Sequence, residues 1–364
     1  MFAGHTLQWY IFRRLVGMMA VFAVAIAALA VLIDFTEMTN RAGNLSEYTV
    51  GLGLMISAIR APFYVLGALP FVMLFATIAT LIALNRRFEL VVARSAGMSA
   101  WQFLAPTWGA AIAIGIVSVA VLSPLAASGF SAAEAIEGSW SGSPASRALP
   151  DEEPWLRQNR VDGGTVLIGA QRVTNDEVLL REAVFLEISA GGSIIARHDA
   201  ESARLDDGQW VLEDVTTSLA DQRPIWRDTI VIATALNEAV IREALVPAEM
   251  VPVYALPAQI EAARSFGVPA HPFRMQFHSL VALPALLVAM TLVAATVSLR
   301  FVRSGQSTPM IVGGIAAGFV LYVLTALAKS FGSAGIIPPP LAAWLPVLCG
   351  MLFGTAYLLH REDG

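Results

Sequence analysis

Six runs of apolar residues, each near the length a helix needs to cross a hydrocarbon layer, leave few folds open to this chain. A membrane-spanning helix takes about 20 such residues. The runs are Leu15–Ile33, Ala61–Leu84, Trp101–Leu122, Phe277–Leu299, Thr308–Ala328 and Pro340–Leu359. No water reaches the core of a bilayer to satisfy backbone amides, so segments of this kind cross it as helices. The first run follows Arg13 and Arg14 and carries Ala28-Leu29-Ala30 near its end, which are marks of a cleaved secretory signal. It is long for a signal core and five more runs follow, so it is read as a span.

Charge divides the chain into two materials. Residues 124–275 hold 22 acidic and 12 basic side chains, and the remainder holds 6 and 11. The expectation is an α-helical membrane protein with six transmembrane helices and an inserted acidic soluble domain. Its parts are helices 1–3 in residues 1–123, the insertion in 124–275 and helices 4–6 in 276–364. Basic residues of short loops favour the cytoplasmic side. With the N-terminus there, Arg13, Arg14, Arg86, Arg87, Arg94, Arg300, Arg303 and Arg361 gather on that side, and Arg41, Arg60 and Lys329 lie on the other. Both termini are then cytoplasmic and the insertion is extracytoplasmic.

The insertion reads as all-β. Thr165–Val173, Val178–Ser189, Ser193–Arg197, Glu201–Leu205, Trp210–Val215 and Thr229–Leu236 are short runs rich in β-branched and apolar residues. Asp162-Gly163-Gly164, Gly191-Gly192 and Asp206-Asp207-Gly208 are turn signals between them. A sandwich or jelly roll is expected. Ser139–Pro150 reads as a linker, and a short helix is expected near Ala258–Phe266. Cys349 is the single cysteine and lies in an apolar run, so burial and strand pairing, not a disulfide within the chain, must hold the domain.

The sequence speaks against several chemistries. A phosphate-binding loop ends in Gly-Lys-Ser/Thr. The only lysine is Lys329, preceded by Ala328. There is no Gly-x-Ser-x-Gly elbow, no His-Glu-x-x-His helix and no Cys/His cluster at metal-ligand spacing. No cofactor, metal or nucleic acid is expected. The segment Asn85–Ser99 reads as a short amphipathic helix on the cytoplasmic side, with Phe88, Val91, Val92 and Ser95 at helical spacing, Glu89 among Arg86, Arg87 and Arg94, and Gly97 as a C-terminal stop. Such a helix is either an ordinary charged surface turn or a knob for a groove on a partner.

Arg87-Phe88-Glu89-Leu90-Val91-Val92 with Arg94-Ser95-Ala96-Gly97 resembles the cytoplasmic motif of the lipopolysaccharide-export permeases LptF and LptG. Asp34-Phe35 through Arg41-Ala42-Gly43, the stretch Ala203–Leu212, and Gly314 to Gly318-Phe319 with Tyr322 and Pro338-Pro339 are similar to further parts of that family, in the same order. The first of these regions and the Glu-Leu-Val-Val run favour the LptG half. The resemblance implies an ATP-binding-cassette transport subunit that catalyses nothing itself. Its partners would be an LptF-like permease, an LptB-like ATPase dimer, an LptC-like bitopic β-protein and lipopolysaccharide. It implies ATPase coupling through Arg86, Arg87, Phe88, Glu89, Leu90, Arg94 and Gly97, and a jelly-roll-like periplasmic domain. It also implies lipid contact by Arg41 and, less directly, Arg60, for which interfacial anchoring is the alternative. Asp34 departs from the basic residue the LptG pattern often has there. Three rivals remain: the LptF half of the same transporter, a mechanotransmitting permease of another ABC type, which would need a different helix count and no jelly roll, and a membrane-anchored scaffold that transports nothing.

Overall fold

The computed structural model describes residues 3–43, 48–95, 97–140, 155–159, 164–174, 179–189, 191, 193–206, 208–219, 223–234, 247–265, 269–298 and 307–362. The helices are α1 (Ala3–Ala42), α2 (Val50–Arg86), α3 (Glu89–Ser95), α4 (Ala100–Val117), α5 (Ser123–Trp140), α6 (Leu256–Ser265), α7 (His271–Ser298), α8 (Ser307–Ser333) and α9 (Pro339–Glu362). Among the described residues six stretches are long and apolar enough to cross a membrane: Thr6–Ala42, Val50–Arg86, Ala100–Glu137, His271–Ser298, Val312–Ser333 and Pro339–His360. All six expected spans are present. The first three are much longer than their apolar runs. At 1.5 Å per residue the 40 residues of α1 make a rod of about 60 Å, twice the roughly 30 Å of a hydrocarbon core. The third span likewise continues past Leu122 to Trp140. The expected linker lies largely outside the described residues.

The third span is continuous because a defect in it is repaired. Pro124 has no N–H, so in a regular α-helix the carbonyl of Ala120 would lose its donor. The chain widens into a π-turn over Ser118–Leu122, with Ser123 N–H donating to Ser118 O. The Tyr254 hydroxyl donates to Ala120 O at 3.1 Å. Tyr254 belongs to the segment Pro247–Leu256 that returns from the inserted domain to α6. Val251, Val253 and Leu256 of that segment are buried with Phe273 and Leu280 of α7, against Leu66 and Val119.

Glycines set the closest helix contacts. A Cβ on Gly115 of α4 would stand 2.5 Å from the backbone Cα of Pro284 in α7, and one on Gly318 of α8 would strike Leu74 of α2. Gly314 lies against Val297 and Ile78, Gly350 against Leu321, and Gly354 against Leu292. Both Gly-x-x-x-Gly pairs, 314/318 and 350/354, therefore sit on packing faces.

The insertion is one antiparallel sheet in the order β1-β2-β3-β4-β5-β6. Its strands are β1 (Trp155–Asn159), β2 (Thr165–Thr174), β3 (Leu179–Ile188), β4 (Ile194–Asp206), β5 (Gln209–Leu219) and β6 (Ile225–Ala233). Ser193–Arg197 and Glu201–Leu205, expected as two strands, are the two halves of β4. Strand β1, which the sequence reading did not anticipate, adds an edge.

The reason β4 reads as two strands is a crease across the whole sheet. Pairing skips one residue at the same level in five strands: Gln171, Glu182, Glu201, Asp214 and Asp228. Glu182 (φ 51°) and Asp214 (φ 49°) are left-handed there. The inward positions change parity at that row, from 196, 198 and 200 to 203 in β4, and from 210 and 212 to 215 and 217 in β5. Residues on both sides of it share one core, Phe185, Ala200 and Val215 with Leu180, Ala203, Trp210 and Leu212. Register places Phe185 level with His198 and Thr217. Trp210 is seven residues further along β5, about 23 Å away on a flat sheet. The two rings lie 5.8 Å apart, edge to face. The sheet therefore doubles over at the crease and closes on its own apolar side.

A left-handed residue other than glycine costs roughly 1–2 kcal/mol. Glu182→Gly is expected to stabilise the domain by about 1 kcal/mol, whereas Arg181→Gly, one residue away in ordinary strand backbone, should destabilise it by about the same amount. Hydrogen-exchange protection of β3 in the detergent-solubilised full chain checks both signs.

Candidate functional site: polar groups at the two ends of the first hairpin

Helices α1 and α2 form a hairpin, and each of its ends carries a polar cluster. At the α3 end, α2 stops at Arg86 and the chain turns through Phe88, which has left-handed backbone (φ 58°). Gly97 (φ 82°) ends α3, and Met98 N–H reaches back to Ala93 O at 3.1 Å, a Schellman-type close. Ser99 and Gln102 then form a capping box that starts α4. Of the segment expected as one short helix, Asn85 and Arg86 end α2 and only Glu89–Ser95 forms α3. Leu90 and Ala93 are buried and anchor it, while Phe88 (68% exposed) and Val92 (65%) stand outward, a turn apart. Arg86, Arg87, Ser95 and Gly97 are exposed as well. The side chain of Arg94 lies outside the described residues.

Glu89 points away from that outward face. The Tyr10 hydroxyl donates to Glu89 Oε1 at 3.3 Å and accepts from Arg14 Nη1 at 2.7 Å. Arg14 Nη1 is 3.7 Å from the same carboxylate oxygen, and its guanidinium lies 5.8 Å from the centre of the Tyr10 ring. Among the described side chains Glu89 pairs with Arg14 of α1, which the sequence reading had counted only as a charge before the first span.

The other end of the hairpin holds a second cluster. Asp34 of α1 and Arg60 of α2 are 4% and 5% exposed. Asp34 Oδ1 accepts from the Tyr64 hydroxyl at 2.6 Å and lies 3.8 Å from Arg60 Nη1. Arg60 Nη2 donates to Glu137 of α5, and the guanidinium covers the Phe130 ring at 5.2 Å. Met38, Ile56 and Ala133 fill the space among the same three helices. Charges in such a setting survive only when paired and hydrogen-bonded.

The two arginines expected at a common rim are therefore separated. Arg41 is exposed near the end of α1 and pairs with Glu37 at 3.1 Å, one helical turn back. Arg60 is enclosed, with its charge met inside the chain. Lys329, at the same end of α8, is 3.2 Å from Glu249 in the returning segment. Tyr64 and Glu137 were missed by the sequence reading. The signal for them was Asp34 itself, a carboxylate just past an apolar run, which demands a partner on a neighbouring helix. Among the described residues no group of three or more His, Cys, Asp or Glu is placed to hold a metal.

Six spans, a short amphipathic helix between the second and third, and a β-domain inserted between the third and fourth define a multi-pass membrane protein with one inserted sheet domain. The chain belongs to the lipopolysaccharide export system permease LptF/LptG family, whose model matches residues 9–361. It is 23% identical over 386 residues to the lipopolysaccharide export system permease protein LptG of Haemophilus influenzae (strain ATCC 51907 / DSM 11121 / KW20 / Rd), a match covering 99% of each chain.

Removing one partner of a buried ion pair strands the other charge, at a cost of about 3–5 kcal/mol. Arg60→Met alone should lower the thermal unfolding midpoint in detergent by many degrees. Arg60→Met combined with Asp34→Asn and Glu137→Gln should recover most of that loss.

Proposed function

We propose that this chain is the LptG half of a lipopolysaccharide exporter in the bacterial inner membrane. Its termini and α3 face the cytoplasm, and its β-domain, within residues 124–275, faces the periplasm. The arginines of the short loops support this orientation. ATP is hydrolysed by a separate LptB-like dimer. An LptF-like permease forms the other half of the cavity, and an LptC-like bitopic protein continues the path from the β-domain.

The observation that carries this reading is the outward face of α3. Phe88, in the turn that leads into α3, and Val92, on it, stand exposed beside the anchors Leu90 and Ala93, on a chain whose family supplies the membrane part of an export system. A short helix laid in a groove through apolar anchors is a recurrent mode of docking. Arg86 and Arg87 flank those anchors, Gly97 sets where the helix stops, and Arg94 belongs to the same segment. Acyl chains would lie against the exposed Leu, Val and Phe side chains of α1 and α8, where burial is worth about 25 cal/mol per Å². Arg41, open at the rim, would meet a phosphorylated headgroup. Arg60 serves that site indirectly, by holding α1, α2 and α5 together beneath it.

Affinity purification of the tagged chain in mild detergent, with mass spectrometry of what is retained, tests this reading. A cytoplasmic ABC ATPase, a second six-helix permease and a one-helix β-protein are expected. A second permease of LptG type would make this chain the LptF half, and recovery of the chain alone would favour the scaffold reading. Phe88→Asp with Val92→Asp should cut ATPase recovery at least about tenfold, as loss of central apolar anchors does at other interfaces. Export that survives Glu89→Arg unchanged would remove the coupling role from this segment.

A further inference from the structure

At the helix ends nearest the β-domain, positive charge is mostly answered within the chain. Arg41 has Glu37, Arg60 has Asp34 and Glu137, Lys329 has Glu249, and Arg264 has Glu261. Arg274, in the first turn of α7, is different. Among the described residues it pairs with no carboxylate.

Arg274 belongs to a stripe. His271, Arg274, His278 and Val281 follow one another at helical spacing and share one face of α7. His271 and Val281 are exposed, and Arg274 and His278 are half-buried. The guanidinium acts electrostatically on the His278 ring, which meets Phe277 edge to face at 5.5 Å. His278 lies about 10 Å beyond His271 along the axis, inside the apolar run that starts at Phe277. An ionisable side chain at that depth calls for a polar partner.

Neighbouring helices flank this face and close it only further along. Gly332 of α8 approaches Met275 on one side, and Gly115 of α4 approaches Pro284 on the other. Gly335, in the turn between α8 and α9, lies beside the His271 ring. Deeper on the same side of α7, Gly350 and Gly354 of α9 meet Ala289 and Leu292. Between His271 and Val281 the face stays open for about 15 Å, with nitrogen donors at its start and an apolar side chain at its end. An unpaired guanidinium takes a phosphate through two parallel hydrogen bonds, and each imidazole can add an N–H donor. Arg41 is on α1, which packs against α2 and α4, so this is a second basic position and not an extension of that one.

We propose that this face of α7 holds one anionic phospholipid from the leaflet on the β-domain side. Its phosphate sits on Arg274 with His271 and His278, and an acyl chain runs along Val281. One cation with two further donors matches a single phosphodiester followed by hydrocarbon. The site stands apart from the reading of α3 and of the transported lipid.

Native mass spectrometry of the full chain in mild detergent, titrated with phosphatidylglycerol or phosphatidylcholine, tests this. Wild type should bind one phosphatidylglycerol more tightly than phosphatidylcholine, whose choline brings a second cation to Arg274. Arg274→Gln should weaken phosphatidylglycerol about tenfold or more, the worth of a charge-assisted hydrogen bond, and erase the preference. Arg274→Lys should lose less, and Arg264→Gln nothing. Bound lipid raises stability, so phosphatidylglycerol should raise the thermal unfolding midpoint of wild type and Arg264→Gln but not of Arg274→Gln. Equal binding of the two lipids overturns the proposal, as does a preference that survives in folded Arg274→Gln. If that variant does not fold, an unchanged affinity in both Arg274→Lys and His278→Phe overturns it. Displacement of the lipid by millimolar inorganic phosphate would make the site one for a free anion, and displacement by lipopolysaccharide would make it part of the cargo path; either result overturns a resident phospholipid.

Discussion

A bilayer core offers a polar group nothing to bond with, and most of this chain follows from that constraint. It forces the six spans into helices, whose amides and carbonyls are satisfied within each segment. It also makes each interruption conspicuous. Pro124 removes one donor, and the consequences reach far along the chain: a π-turn in the third span, an Ala120 carbonyl without its usual partner, and a tyrosine from the returning segment to fill the vacancy. That contact fastens the β-domain's second connection to the helix that forms its first. Glu249 and Lys329 fasten the same segment to α8. These polar contacts add to the burial of Val251, Val253 and Leu256 in holding the returning segment to the bundle.

The same constraint governs the side chains. Every acidic residue that lies deep in the described helices has a named basic or hydroxyl neighbour. Asp34 has Tyr64 and Arg60, Glu137 has Arg60, and Glu89 has Tyr10 and Arg14. These contacts cross between helices, whereas the apolar packing of α7 against its neighbours is broad and continuous. Helices α2 and α7 form the centre through burial. Helix α1 packs on that centre through Ile11, Leu15 and Met19 and adds charged contacts near both ends. The two kinds of adhesion suit parts with different duties, because an apolar core resists rearrangement and an ion pair can be exchanged for another of similar geometry.

Much of this was legible in the sequence. The six spans announced themselves by apolar length, and α3 by the spacing of Val91, Val92 and Ser95 with Gly97 as its stop, whereas Phe88, read with them, lies in the turn before it. Span length was not legible, because Thr36, Glu37, Asn40 and Arg41 carry polarity that hydropathy reads as an end while the helix runs on to Ala42. Nor was the partnership of Arg60. Position along the chain suggested a rim residue, and only the packing of α1 along α2 brings 34 level with 60. The strands were readable from β-branched runs, but the crease broke the alternation at Glu201 and Ser202 and so divided β4. Periodicity reports which face a residue takes. It cannot distinguish a sheet that ends from one that bends back.

Strand order has a consequence for how the domain comes into being. Each strand pairs with the one beside it in sequence, from β1 to β6, so no pairing waits for a distant segment. Loop-closure entropy is correspondingly small, and topologies rich in local contacts fold fast. The sheet can assemble strand by strand in the order in which the chain is made, before α7, α8 and α9 exist. Only the doubling that brings Phe185 to Trp210 requires several strands at once. A domain placed in the middle of a membrane protein is thereby free to finish early, leaving the last three helices to close the bundle around segments that are already fixed.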